Sequence, residues 1–288
     1  MTAPRNQIIF PTTFQDLFQF WARTPDAIPF AGGTELLRNQ GKRLLNIPRN
    51  ILSLDKLEEL RRITRTERYL EIGAMVTLNE IIALGKIVPE VLTQCLEGIG
   101  GYQLRNLATI GGNICNRSRY PDTAVPMVAL DAQYELRTTT ASRWIAAFRF
   151  SAFSEDPSGS QVADTKRSGP ASQELLTRIR IPLEQWDYAL YTKFTPPDPK
   201  ASGSIVFIIR NQKNVLTDIR IIYGGERILR DKNTEALLIG KSLPLNRKDA
   251  FNFVEHWKTY LAALPPLEDV LQGRIIHFIE SSLLGLTD

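Results

Sequence analysis

The feature that most constrains this chain is a pair of Gly-Gly stretches, Ala31-Gly32-Gly33-Thr34-Glu35-Leu36 and Thr109-Ile110-Gly111-Gly112-Asn113-Ile114. Each follows or interrupts an apolar segment and is flanked by small or hydroxyl-bearing residues. Glycine has no Cβ, so its backbone takes positive φ and lets a ligand approach closely. Two consecutive glycines can turn several N–H groups toward one point, which makes an anion-binding nest. Thr34, Thr109 and Asn113 add short side-chain donors beside those N–H groups. Singly, each stretch reads as a tight turn. Together, they read as two loops gripping the two phosphates of a dinucleotide from opposite sides. Neither has the form G-x-G-x-x-G after a strand or G-x-x-x-x-G-K-[ST], so neither a Rossmann site nor a P-loop is supported.

The wider context of both stretches carries a resemblance. Pro29-Phe30-Ala31-Gly32-Gly33-Thr34-Glu35-Leu36 and Arg105-Asn106-Leu107-Ala108-Thr109-Ile110-Gly111-Gly112-Asn113-Ile114 resemble the two FAD loops of the FAD-binding subunits or domains of molybdenum hydroxylases. Xanthine dehydrogenase and carbon monoxide dehydrogenase belong to that family. The likeness continues through Ser118, Asp122, Pro126 and Ala129-Leu130-Asp131-Ala132. It resumes at Glu174-Leu175-Leu176 and Arg180-Ile181-Pro182, and again at Gly224-Gly225 and Gly240-Lys241. Its most specific part is the second loop with Asp122 nine residues after Asn113.

The resemblance implies an α+β chain. A two-lobed FAD-binding domain of the vanillyl-alcohol-oxidase/p-cresol-methylhydroxylase type precedes a C-terminal α+β domain, an antiparallel sheet with helices on one face. The implied boundaries are 1–55, 56–195 and 200–288, with FAD extended between the first two pieces. Pro29, Phe30, Ala31, Gly32, Gly33, Thr34, Glu35 and Leu36 would line the diphosphate and ribityl chain. Thr109, Ile110, Gly111, Gly112 and Asn113 would hold the diphosphate from the other side. Asp122 would accept hydrogen bonds from FAD hydroxyls, a role suited to a carboxylate. Ile99, Leu176 and Lys193 match positions flanking the flavin ring, with Lys193 adding positive charge there. FAD supplies the redox chemistry, so no catalytic side chain of the protein is required.

The function implied is that of an electron-transfer subunit, passing electrons from iron–sulfur clusters through FAD to NAD or another acceptor. Its partners would be the iron–sulfur and molybdopterin subunits of one complex. Two other readings stand beside it: a stand-alone FAD-dependent oxidoreductase, and a scaffold subunit that has lost FAD. Two features depart from the family pattern. Arg117 and Arg119 stand where small residues or Pro are usual, and would pair with the diphosphate or face a partner chain. Pro196 to Gly203 replaces a polar pair that lies near the nicotinamide acceptor in relatives, which leaves the acceptor open.

Composition limits the alternatives. Hydrophobic residues make up 43% and charged residues 23%, as in a soluble globular protein. The net charge of +4 is scattered with no Lys/Arg block, so nucleic acid is not an expected partner. No apolar run approaches the ~18 residues of a membrane span, and no signal peptide is evident, so a cytoplasmic protein without a membrane partner is expected. The two cysteines, Cys95 and Cys115, and the two histidines, His256 and His277, cannot assemble the four ligands of an iron–sulfur or zinc site. Clusters must therefore come from another chain. Cys95 is expected buried in a helix, Cys115 near the ligand, and both histidines half-buried on amphipathic helices.

Periodicity places the elements. Strands are expected at Ile8–Pro11, Arg49–Leu54, Tyr69–Ala74, Tyr134–Arg137, Leu175–Ile181 and Trp186–Phe194. Ile205–Ile209 and Thr217–Tyr223 form a hairpin. A helix capped by Thr12 or Thr13 turns Leu17, Phe18, Phe20 and Trp21 inward. Thr77 and Glu80 form a capping box. Further helices are expected at Pro89–Gly98, Asn233–Ile239, Lys248–Leu264 (with Phe251, Val254, Trp257 and Leu261 on one face) and Gly273–Leu286. Residues 151–172, rich in Ser, Gly and Pro, read as a long loop of functional or subunit-contact character.

Overall fold

The computed structural model describes residues 7–38, 47–116, 122–150, 173–195, 202–225, 227–265 and 267–287. Arg117, Arg119, residues 151–172 and the expected boundary at 196–200 lie outside them. The chain divides into two compact units. The first comprises residues 1–88, 99–123 and 130–183; the second comprises 89–98, 124–129 and 184–288.

The first unit opens with a small parallel sheet of β1 (Gln7–Ile9), β2 (Ile28–Phe30) and β3 (Asn50–Ser53), in the order β1-β3-β2. Parallel strands need a crossover connection, and α1 (Phe14–Arg23) lies in the one from β1 to β2, which flank β3. Thr13 caps it, its Oγ1 accepting from Asp16 N at 3.1 Å. Phe14, Leu17, Phe18 and Trp21 are buried at helical spacing. Phe20, expected on that face, is only half-buried. A short helix, α2 (Thr34–Arg38), follows β2 across the first glycine stretch.

A five-stranded sheet comes next. Its strands are β4 (Ile63–Arg65), β5 (Tyr69–Gly73), β6 (Gln133–Arg137), β7 (Ser142–Ala146) and β8 (Leu175–Pro182), in the order β4-β5-β8-β6-β7, all antiparallel. The chain leaves β5 into α3 (Leu78–Ala83) through the expected capping box. Thr77 Oγ1 accepts from Glu80 N, and Glu80 Oε2 accepts from Thr77 N at 2.7 Å. After α4 (Glu90–Glu97), which belongs to the second unit, come α5 (Tyr102–Arg105) and α6 (Ile110–Ile114). Leu70, Ile72, Leu136, Ile179 and Ile181 are buried.

The second unit is built on an antiparallel sheet of β9 (Tyr188–Phe194), β10 (Gly203–Gln212), β11 (Val215–Gly224) and β12 (Ile228–Leu229), in the order β12-β11-β10-β9. Tyr188–Phe194, which the expected boundary leaves with the preceding lobe, is thus hydrogen-bonded into this sheet. Alternate residues Ile205, Phe207, Ile209, Ile219, Ile221 and Tyr223 share a core with Phe253, Trp257, Leu261, Ile275 and Ile279. The latter come from α9 (Arg247–Ala262) and α10 (Asp269–Leu284), preceded by the short α8 (Lys232–Ala236). Val206, Ile208 and Ile222, on the opposite face, are also fully buried. There Arg220 donates to Ala129 O at 2.6 Å, so α7 (Ala124–Ala129) covers that side. The unbroken run Ile205-Val206-Phe207-Ile208-Ile209 reflects a strand buried on both faces.

Besides Phe20, three side chains differ from expectation. Phe251 is 63% exposed, and Phe253 takes the inward place beside Val254 and Trp257. His256 and His277 are exposed rather than half-buried. His256 Nδ1 lies 2.7 Å from Asn252 O on its own helix, so the ring is satisfied without packing. Cys95 is fully buried in α4 as expected.

Candidate functional site

The two glycine stretches are held by different devices. The ladder between β2 and β3 ends where Leu54 N donates to Phe30 O at 2.9 Å. Ala31, Gly32 and Gly33 then leave the sheet and α2 begins at Thr34. Gly33 has φ +68°, and the Phe30 ring fills the space its Cβ would need. Gly32 needs its missing side chain for another reason: a Cβ there would overlap the Leu107 carbonyl.

The second stretch is a capped helical turn rather than an open loop. Thr109 forms a bridge with Thr77, Ile110 N donates to Val76 O at 3.0 Å, and Gly111 N donates to Ala74 O at 2.9 Å. Thr109 Oγ1 caps α6 by accepting from Gly112 N at 3.2 Å. A Cβ at Gly111 would lie 2.6 Å from Ala74 Cβ. Of the four glycines, Gly33 alone uses the left-handed region. Gly32 and Gly111 serve close packing of backbone.

Both stretches wall one cavity of about 400 Å³. Pro29, Phe30, Ala31, Gly32, Gly33, Thr34, Glu35 and Leu36 line it, as do Thr109, Gly112, Asn113 and Ile99. Ile110 and Gly111 are buried and do not line it. Asp122 is half-buried next to Thr123, outside the lining. Leu176 is 4% exposed in β8, paired with Leu136. Lys193 stands on β9 in the second unit.

Sequence reasoning missed Ile28, Pro48, Ile51, Gly100, Leu104, Ala108 and Asn116 as cavity residues. The sequence signal at Gly100 was a further Gly-Gly pair, Gly100-Gly101, and the structure ties it to Arg105. Its guanidinium donates from Nη1 to Gly100 O at 2.8 Å and to Ile99 O at 3.4 Å, and from Nε to Asn79 Oδ1 at 3.1 Å. Asn79 Nδ2 in turn donates to Tyr102 O at 2.9 Å and Asn106 Oδ1 at 2.7 Å. Cys115, placed near the ligand by its sequence position, does line the cavity.

The donor chemistry suits a dinucleotide diphosphate. Among the described lining residues there is no Lys, Arg or His, and Glu35 is the carboxylate. Glycine and alanine at positions 31, 32, 33, 100, 108 and 112 leave backbone accessible, and Thr34 and Asn113 add neutral donors. Such a cradle binds phosphate through N–H groups and amides rather than through cationic side chains. No group of three or more potential metal-ligating side chains occurs among the described residues. No helix among them is long and apolar enough to cross a membrane.

Comparison with known proteins agrees. Residues 4–184 match the family model of the FAD binding domain in molybdopterin dehydrogenase. The glyceraldehyde dehydrogenase medium chain of Sulfolobus acidocaldarius is 27% identical over 248 residues, 84% of this chain and 84% of that one. The xanthine dehydrogenase FAD-binding subunit of Escherichia coli O157:H7 is 33% identical over 139 residues, 46% of each. In fold, the chain is similar to a chain of quinoline 2-oxidoreductase from Pseudomonas putida 86, with TM-score 0.78 at 21% identity, covering 100% of this chain and 98% of that one. With both glycine stretches inside the matched segment, the chain belongs to the family of FAD-binding domains of molybdopterin dehydrogenases: it is an FAD-dependent oxidoreductase subunit of molybdenum-hydroxylase type, and FAD is its cofactor.

Proposed function

We propose that the FAD diphosphate lies between Gly32–Thr34 and Gly112–Asn113, and that this chain carries electrons from iron–sulfur clusters on a partner chain to an acceptor. The observation that supports it is a single cavity walled by both glycine stretches. Backbone N–H groups of the first stretch and the Asn113 amide would bind phosphate oxygens, while Gly32 and Gly33 keep side chains out of the way. Ile99 would flank the flavin. Asp122, Leu176 and Lys193 keep the roles given by the resemblance as part of this proposal. When bound, FAD supplies the redox chemistry, and the protein's share is binding, orientation and exclusion of competing reactions.

The partners in this reading are an iron–sulfur subunit and a molybdopterin subunit, in a cytoplasmic complex. NAD or another molecule is the acceptor. The division 1–55, 56–195 and 200–288 belongs to the same proposal.

Titration of FAD into apo-protein tests the placement. Gly112→Val would put a Cβ 2.8 Å from Thr109 Oγ1 and displace the cap beside the proposed diphosphate. Loss of FAD retention with the fold intact is expected. Stoichiometric binding at the wild-type Kd would refute the assignment. Co-purification of iron, molybdenum and two further chains with the native protein tests the complex. Recovery as a flavin-loaded monomer without those metals would favour a stand-alone enzyme.

A further inference from the structure

Thr123 stands immediately before α7, where a threonine ordinarily serves as N-cap. Its hydroxyl instead reaches back across ten residues, and Thr123 Oγ1 lies 2.6 Å from Asn113 Oδ1. Both atoms are oxygens and the amide oxygen carries no proton, so the hydroxyl donates. Thr123 is fully buried, whereas Asn113 is half-buried and lines the cavity. The pair therefore links a residue out of solvent to one facing the ligand space.

We infer that Thr123 is a positioning residue for Asn113: it takes the oxygen end of the amide, so that the NH₂ end is presented to an anionic oxygen in the cavity. This rests on the FAD reading above and adds to it a residue that does not touch the cofactor. An amide has two ends of opposite character. Oδ1 turned to the cavity would repel a phosphate, while Nδ2 offers two N–H donors. A diphosphate selects the Nδ2 end, and Oδ1 then needs a donor of its own in a half-buried setting. Thr123 supplies it. Donation into Oδ1 also polarises the amide and strengthens the N–H groups at its other end. Without the hydroxyl, Oδ1 would be left unpaired when Nδ2 engages the anion, which weakens the bound state specifically.

The test is FAD titration into apo-protein for Thr123→Val, Thr123→Ser, Asn113→Ala and the double variant Asn113→Ala/Thr123→Val, with Tm recorded for each. Thr123→Val keeps the shape and removes the hydroxyl. It is expected to raise the Kd roughly three- to tenfold, the effect of one neutral hydrogen bond. Thr123→Ser should bind like wild type. In the Asn113→Ala background, Thr123→Val should add nothing, because the partner is gone. If Thr123→Val does not fold, Thr123→Cys, a weak donor of similar size, carries the same expectation. Equal losses in Thr123→Val and Thr123→Ser, or a Thr123→Val effect undiminished in the Asn113→Ala background, would overturn the inference in favour of packing. An unchanged Kd in Asn113→Ala would also overturn it, and would identify the placement of FAD as the step that failed.

Discussion

Gly32 lies against the backbone of Leu107, so closely that a Cβ at position 32 would overlap the Leu107 carbonyl oxygen. Leu107 leads directly into Thr109 and α6. The contact therefore locks the first glycine stretch to the approach of the second and sets the width of the cavity between them. Gly32→Ala should force the two apart, because backbone on both sides cannot rotate away as a side chain can. Overpacking of this kind costs about 1–3 kcal/mol. The expected outcome is a lowered Tm together with at least a tenfold rise in the Kd for FAD. Calorimetry and FAD titration on the same preparation check it, and an unchanged Kd would show that the cavity width does not matter to the cofactor.

The two stretches that line the candidate cavity were legible in the sequence, but how they are held was not. The paired glycines flanked by Thr or Asn singled out two stretches, and the structure brings both onto one cavity. The reason for each glycine was hidden. Positive φ accounts for Gly33, while Gly32 and Gly111 answer to Leu107 and Ala74, residues that no local pattern connects to them. The helical turn at Ile110–Ile114 was equally invisible. Its Gly-Gly pair argues against helix, and the cap at Thr109 together with Gly111 N bonding to Ala74 O outweighs that propensity.

In the second unit the element types were readable and one face was misjudged. Phe251, Val254, Trp257 and Leu261 fit a helical stripe by spacing, yet the buried stripe of α9 runs through Phe253, Trp257 and Leu261 with Val254 beside it, and Phe251 falls outside it. Phe253 is fully buried instead. Phe253→Ala is expected to cost about 3–5 kcal/mol, and Phe251→Ser to stay within about 0.5 kcal/mol of wild type. Denaturant melts of the two variants decide between the faces. Equal losses would mean that Phe251 is buried in the protein as it exists in solution.

Glu135 predicts an acid limb in the stability curve. Its carboxylate accepts from Thr177 Oγ1 at 2.6 Å and from Arg178 Nε at 2.8 Å and Nη2 at 2.7 Å. Burial alone pushes its pKa up. The bonds from Arg178 and Thr177 and the charges of Arg178 and Arg137 outweigh that, and hold the carboxyl below its ordinary value. A depressed folded pKa means that the unfolded chain binds the proton more tightly. The stabilisation is then complete above the unfolded value of about 4.3 and is lost as pH falls through the folded one. Glu135→Gln should lose about 1–2 kcal/mol at pH 7, discounted for the half-exposed Arg178. The gap between variant and wild type should close as pH falls below about 4. A gap that stays constant from pH 7 to pH 3 would assign the loss to packing.

Arg105 ties down two residues that line the cavity, Ile99 and Gly100. The turn Ile99-Gly100-Gly101 enters α5 with Gly100 at φ +55°, and the carbonyls of Ile99 and Gly100 both accept from Arg105 Nη1. Asn79 Oδ1 fixes the other side of the guanidinium through Nε. A planar fork with donors in two directions can make these bonds at once, whereas the ammonium of lysine is a single point with no fixed geometry. In Arg105→Ala the exposed Gly100 carbonyl would turn to water and the buried Ile99 would lose only a long bond of 3.4 Å, so global stability should fall by only about 1 kcal/mol. The position of Ile99 should suffer more, since nothing else among the described hydrogen bonds ties those two carbonyls down. The Kd for FAD should rise about three- to tenfold, and the visible circular dichroism of the bound flavin should change, because that signal reports the groups packed against the ring. Arg105→Lys should recover only part of the affinity. Asn79→Ala should shift both readouts in the same direction by less, because the guanidinium keeps its carbonyl partners and loses only its aim. A lowered Tm in Arg105→Ala with Kd and dichroism both at wild-type values would make the clamp a purely structural device and detach Ile99 from the flavin.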